Sequence, residues 1–192
     1  MGGGCAVFLN RVVQRREGHA LIRALPTAQK DCAEISGNFW ARNHDWKSAT
    51  SFDYPEHDIC NGAFRDADGA VRQFDMVIAD QVWEHLDRPY AATRAVFEML
   101  RPGGYFYVAV PFFVRFHAYP VDCSRWTARG LKNLLVEAGF DEALVQSFQW
   151  GNLEAARLDC SRRWTKYDAR QHDLTNDPDY PVVSWALGRK AP

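Results

Sequence analysis

Phe74-Asp75-Met76-Val77-Ile78-Ala79-Asp80 is an apolar run bounded by polar residues, with Gln81-Val82-Trp83-Glu84-His85-Leu86 directly behind it. Such a run reads as a β-strand covered on both faces, the kind found inside a parallel sheet. Tyr90 to Leu100 has helical periodicity through Ala91, Ala95, Val96, Met99 and Leu100, and Arg101-Pro102-Gly103-Gly104 ends it. Tyr105 to Val110 is the next strand, rich in β-formers. Further on, Thr127 to Ala138 is predicted as a helix capped by Thr127 and closed by Gly139. Val145 to Trp150 and Val182 to Leu187 read as two final strands around a polar, partly helical segment from Asn152 to Asp168. Upstream, Ala6 to Leu25 has helical spacing, with Val12, Val13, Ala20, Leu21 and Leu25 as its apolar stripe, and Pro26 stops it. Lys30 to Asn38 is a strand running into a small-residue turn, Ser48 to Asp53 a second strand, and His57 to Cys60 a candidate third.

Strands alternating with helices imply an α/β fold: a Rossmann-like, mostly parallel sheet with helices on both faces. Ligands of such sheets sit outside the carboxyl ends of the strands, which directs attention to the residues after Ile35, Phe52, Ala79 and Val110. The 192 residues suit one domain, 1–192, with 1–26 as an N-terminal helical flank. Lys plus Arg number 23 against 24 Asp plus Glu, a formal charge of −1, which disfavours a nucleic-acid groove or an acidic membrane surface as partner. No apolar stretch approaches the roughly 20 residues a membrane span needs. Cys5, Cys32, Cys60, Cys123 and Cys160 are scattered, without metal spacing, and fit reduced thiols in the cytoplasm. Met1-Gly2-Gly3-Gly4-Cys5 has Ala6 where a myristoylation motif wants Ser or Thr, so a frayed terminus is expected there.

Glu34-Ile35-Ser36-Gly37-Asn38 closes the first strand with an acid and small residues, and Asp53 closes the second. Small residues let the backbone approach a ligand, and a carboxylate after the second strand can accept hydrogen bonds from ribose hydroxyls. The turn lacks the G-x-G-x-x-G run that wraps a pyrophosphate, and its acid would repel one. A nucleoside carrying a positive centre fits better than a dinucleotide; a plain strand-to-loop turn is the alternative.

Phe74-Asp75-Met76-Val77, then Glu84-His85-Leu86, then Leu100-Arg101-Pro102-Gly103-Gly104 resemble, in order and spacing, the class I S-adenosylmethionine-dependent methyltransferases. The resemblance covers roughly residues 30 to 140. It implies a seven-stranded-type sheet, here trimmed between the first and third strands because only four residues separate Asp53 from Asp58. By the same resemblance, Glu34, Ser36 and Gly37 fall in the loop passing the methionine end of the cofactor. Asp53 falls at the ribose with Tyr54 beside it, Asp58 near the adenine, and Asp80 and Gln81 beside the transferring methyl. Ser36-Gly37-Asn38 departs from the family's G-x-G.

Pro111 to Thr127 also resembles the P-F-x-x-x-x-H-x-x-P-x-D-x-x-R-x-T signature of small methyltransferases in polysaccharide and glycolipid biosynthesis. That implies an acceptor wall, with Phe112, Phe116, Tyr119 and Trp126 offering apolar faces to sugar rings; Arg125 and Asp122 are expected to pair and hold the loop. The expected function is S-adenosylmethionine-dependent O-methylation of a small acceptor hydroxyl, on a sugar or glycan precursor. His117 and His85 are the candidate bases. Gln81-Val82-Trp83-Glu84-His85 is similar to the E-x-x-E-H of some metal-assisted methyltransferases, so Glu84 and His85 are candidate ligands for a divalent ion such as Mg2+. N- or C-methylation of a small metabolite, and a non-catalytic nucleoside-binding subunit, are the rival readings. Expected partners are a small-molecule or oligosaccharide acceptor and further copies of the chain, without nucleic acid. His19, His44, His57 and His172 read as solvated surface, and Trp40, Trp46, Trp150, Trp164 and Trp185 as core or interface.

Overall fold

The computed structural model describes residues 7–192, so the opening stretch through Ala6, with Cys5, lies outside the described residues. The elements in chain order are α1 (Leu9–Arg23), β1 (Asp31–Ile35), α2 (Phe39–Asn43), β2 (Ser48–Phe52), β3 (Phe74–Asp80), α3 (Pro89–Met99), β4 (Leu100–Pro111), α4 (Ala128–Glu137), β5 (Val145–Trp150), α5 (Leu153–Asp159) and β6 (Val183–Arg189). The strands form one sheet in the order β2-β1-β3-β4-β6-β5. β2, β1, β3 and β4 run parallel, and β6 lies antiparallel between β4 and β5. All four parallel strands therefore deliver their carboxyl ends to one edge.

Alternation along the strands builds the two faces, because successive side chains point to opposite sides. Val77 and Ala79 of β3 and Phe106, Val108 and Val110 of β4 pack with α3 and α4. Met76 and Ile78, with Tyr107 and Ala109, pack with α1 and α5 on the other face. Burying each such Val, Ile, Met or Phe contributes about 1.5–3 kcal/mol, so β3 and β4 form the middle of the core.

Three expectations are corrected by this architecture. Among the described residues the sheet has six strands, in keeping with the expected trimming, but the candidate strand His57 to Cys60 is instead a 3-10 turn at Ile59–Asn61 whose start is capped by Asp58. A parallel crossover needs about a dozen residues, and the chain between Asp53 and Asp58 is far shorter, so β2 becomes an edge strand with mostly exposed side chains. Arg101-Pro102-Gly103-Gly104 does not separate helix from strand but belongs to β4. Phe74 pairs with Leu100 while Met76 pairs with Tyr105, so the extra residues form a bulge. Gly103 sits at φ +76°, and a Cβ on Gly104 would lie 2.9 Å from the Arg101 carbonyl oxygen, so both glycines are required by geometry.

The third correction concerns α1. Its buried face is Leu9, Asn10, Val13, Gln14, Gly18 and Ile22, whereas Ala20 is exposed. Of the expected stripe Val13 is buried and Leu21 and Leu25 pack against the core, but the helix also docks through polar and small residues: Gln14 Nε2 donates to the Tyr107 hydroxyl over 2.6 Å inside the core. Gly18 admits that hydroxyl, since a Cβ there would lie 2.4 Å from it and 2.8 Å from the Trp40 ring. Gly18→Ala adds about 1 kcal/mol of helix propensity but overpacks the seam at a cost of about 1–3 kcal/mol. Urea unfolding is expected to show a net loss of about 1 kcal/mol, with the exposed substitution Ala20→Gln close to neutral.

Candidate functional site

Among the described residues two non-glycine residues have positive φ, Ser36 at +53° and Gln81 at +62°. Each is the first residue after a strand, β1 or β3, at the shared carboxyl edge. The Ser36 amide donates to the Phe52 carbonyl and the Gln81 amide to the Ala109 carbonyl, both over 2.8 Å. Ladder bonds to the neighbouring strand thus continue one residue beyond each strand and hold a backbone conformation that costs about 1–3 kcal/mol. Both residues line one cavity of about 430 Å³, with Asp53, Tyr54, Asp58, His85 and Tyr119 also in its wall. That volume is in the range of small-molecule sites.

The predicted site residues divide by where their side chains go. Ser36, Asp53, Tyr54, Asp58, Gln81 and His85 line the cavity. The Asp58 carboxylate is already engaged, accepting from the Cys60 amide at 2.9 Å and the Asn61 side chain at 3.0 Å. Glu34, Gly37 and Asp80 are outside that lining. Glu34 is buried and accepts from the Ala41 amide at 2.8 Å; burial pushes its carboxyl up while the amides of Ala41, Trp40 and Phe39 pull it back. It therefore fixes the loop between β1 and α2. A Cβ on Gly37 would lie 3.1 Å from its Oε1, which explains the glycine. Asp80 turns to the α1 face, where its Oδ2 accepts from Trp40 Nε1 at 3.2 Å and lies 3.8 Å from Arg15.

The 112–126 loop closes one side. Arg125 forms a two-pronged pair with Asp122, whose Oδ2 also accepts from the His117 amide at 2.7 Å. The guanidinium holds the Asp122 carboxyl down at about 2. The Glu84 carbonyl accepts from the amides of Cys123 and Ser124, which ties this loop to the segment after β3. Tyr119, Pro120 and Val121 consequently reach the cavity. Of the four aromatics expected to face an acceptor, Tyr119 is in the lining and 87% exposed, and Phe116 is 75% exposed. Phe112 instead packs edge-on against Phe113, and Trp126 packs against the α3–α4 core, because the start of α4 draws it inward.

Behind His85 lies a group the sequence placed only in part. Glu84 is fully buried, and its Oε1 lies 3.6 Å from His85 Nε2 and 4.0 Å from His117 Nε2. The third donor that the fold brings to Glu84 and His85 is thus His117, which the sequence marked as a candidate base. Neither Glu84 carboxylate oxygen has a hydrogen-bond partner, and burial pushes the acid up to about 8. Burial lowers His117.

Two other histidines correct the surface expectation, whereas His57 is exposed. His19 and His44 share a 2.8 Å nitrogen contact against Trp40, and burial lowers His44 to about 4. His57 packs against Phe52 and Phe64, and His172 accepts from the Asp168 amide at 3.0 Å. Asp159, at the end of α5, was missed altogether. It is 1% exposed, neither carboxylate oxygen has a partner, and burial pushes it up to about 7. A buried acid on a polar-looking helix has no periodic signal that would reveal it.

Residues 21–108 match the family model described as a methyltransferase domain. A search of the curated proteins found no match to the chain. Among solved structures, an S-adenosylmethionine-dependent methyltransferase from Mesorhizobium loti superposes with TM-score 0.59 at 14% identity, covering 91% of this chain and 97% of its own. A protein from Thermotoga maritima, described as a possible histamine N-methyltransferase, gives 0.58 at 15% identity, covering 94% and 97%. A chain of the complex between the Haloferax volcanii Trm112 methyltransferase activator and its methyltransferase gives 0.59 at 16% identity, covering 95% and 93%. Residues 21–108 thus match the methyltransferase-domain model, and the chain shares the fold of these methyltransferase structures.

Asp159 sets a pH dependence. Its folded value of about 7 lies above the ordinary 3.8, so the stability it permits is complete below about pH 4 and is lost as pH rises through about 7. Asp159→Asn cannot ionise. Denaturant unfolding is expected to show equal stability near pH 4 and a more stable variant by pH 8.

Proposed function

We propose that this chain, of methyltransferase type in domain and fold, binds S-adenosylmethionine in the carboxyl-edge cavity and transfers its methyl group to a hydroxyl of a small acceptor. The proposed acceptor is a sugar or glycan precursor rather than nucleic acid, and the proposed compartment is the cytoplasm, which suits the free thiols of Cys32, Cys60, Cys123 and Cys160. The observation that carries the reading is the convergence of Ser36, Asp53, Tyr54 and Gln81 on one cavity. Asp53 offers acceptor oxygens to a ribose, Tyr54 a ring face to the nucleoside, and the turns at Ser36 and Gln81 bring backbone close to the methionine portion. Glu34, Gly37 and Asp80 support that loop edge from outside the lining rather than by contact.

In the proposed step the acceptor oxygen forms a bond to the methyl carbon as the carbon–sulfur bond breaks. The sulfur keeps the electron pair and departs as the neutral thioether, and the hydroxyl proton leaves to a base. Alignment supplies most of the acceleration for such an in-line displacement. His85 is the imidazole in the cavity wall and the candidate base; His117 stands behind it, its ring 5.2 Å away. The exposed Tyr119 and Phe116 rings suit stacking on an acceptor sugar.

Calorimetry with S-adenosylmethionine and S-adenosylhomocysteine tests the cofactor. Both are expected to bind, and Asp53→Ala is expected to weaken binding by about tenfold or more, equivalent to about 1.4 kcal/mol. Absence of binding at millimolar ligand would leave the non-catalytic reading. Turnover of amines that is indifferent to His85→Ala would favour N-methylation over the hydroxyl route.

A further inference from the structure

The tautomers of His85 and His117 are set by what their Nδ1 atoms face. His85 Nδ1 lies 2.5 Å from the Val121 carbonyl oxygen, which can only accept, so Nδ1 carries the hydrogen and Nε2 the lone pair. His117 Nδ1 lies 3.2 Å from the Arg115 carbonyl oxygen and 3.5 Å from Asp122 Oδ2, again two acceptors, with the same consequence. Both Nε2 lone pairs are therefore turned toward Glu84 Oε1, at 3.6 and 4.0 Å. These separations exceed a hydrogen bond. Three acceptor atoms thus meet with no hydrogen between them, and the carboxylate among them is fully buried and without a hydrogen-bond partner, the charges of Arg11 and Arg125 acting on it only through space. One proton on Glu84 could serve one imidazole and not both.

We propose that Glu84, His85 and His117 form a site for one divalent transition-metal ion of the zinc type. Their donor atoms all lie within 4.8 Å of one another. Ligands at about 2.0–2.1 Å in a tetrahedron around zinc stand about 3.3 Å apart, so the set is completed by side-chain movements of roughly 0.3 Å at His85 and roughly 0.7 Å at His117 toward Glu84, with the two imidazoles closing by at most about 1.5 Å. The outer shell already has the form that metal-bound histidines use: each Nδ1 is held by a carbonyl, and His117 also by a carboxylate that Arg125 fixes in turn. Two imidazoles and one carboxylate suit zinc, cobalt or iron(II) rather than magnesium, which prefers oxygen ligands and retained water. Three protein ligands leave a coordination position for water or an acceptor oxygen, on a cluster whose His85 also lines the cavity. An occupied site would make His85 and His117 ligands rather than bases. The site does not depend on the methyl-transfer reading.

The test uses the full chain, stripped with a chelator and titrated with Zn2+ by calorimetry and with Co2+ by visible absorption. One equivalent is expected to bind, with the Co2+ bands of a low-coordinate nitrogen–oxygen site. Glu84→Gln, which keeps the side chain's shape, and His117→Ala are each expected to lower Zn2+ affinity by about tenfold or more, while His57→Ala leaves it unchanged. Absence of stoichiometric binding by the folded wild-type chain overturns the proposal. So does binding that survives both substitutions, or a Co2+ spectrum of the hydrated ion. S-adenosylmethionine calorimetry on the same stripped protein reports on the proposed function separately, since neither result requires the other.

Discussion

The parallel pairing of β1, β3 and β4 is the constraint on which the rest depends. Because these three strands run the same way and sit side by side, their carboxyl ends coincide, and the turns at Ser36 and Gln81 open onto one cavity. The left-handed backbone at both turns is affordable only because each amide keeps a bond to the adjacent strand. Continuous apolar runs through Val77, Ile78 and Val108 hold those strands between two helical layers. The site is thus an edge effect of the core, with cost at the rim offset by burial in the middle.

Polar chemistry in this protein is organised by what surrounds each group more than by its place in sequence. Asp122 and Asp159 are the same side chain pushed in opposite directions, one held down at about 2 by a guanidinium and the other raised to about 7 by burial. Glu34 and Glu84 divide similarly. The first meets the amides of α2, whereas the second meets two imidazoles that offer it no hydrogen. Asp122 has a further effect at a distance, since the loop it locks to Arg125 carries His117 to Glu84.

How legible this was depended on the range of the interaction. Strand β3, helix α3 and the Thr127 cap are local patterns, and Thr127 does accept from the Gly130 amide. Ser36 and Asp53 stand where the sequence ends its first two strands, Tyr54, Asp58, Gln81 and His85 came from the methyltransferase resemblance, and all six line the cavity. Hidden from the sequence were features that exist only between distant segments. His117 joins Glu84 across more than 30 residues of chain, Gln14 joins Tyr107 across 93, and Asp80 turns away from the cavity because Trp40 and Arg15 lie on its other side. Helix α1 misled in part for a related reason: Asn10, Gln14 and Gly18 stand in its docking face beside Leu9, Val13 and Ile22, and polar residues there break the hydrophobic stripe.

The short connection from Asp53 to Asp58 has a last consequence. Among the described residues no strand lies beyond β2, and the cavity lining includes Tyr54 and Tyr119, rings that are 58% and 87% exposed. Exposed side chains swing on picosecond to nanosecond timescales, whereas lids and domains move in microseconds or longer. Motion of these two exposed rings can therefore reshape the cavity wall while the sheet and its helices stand still.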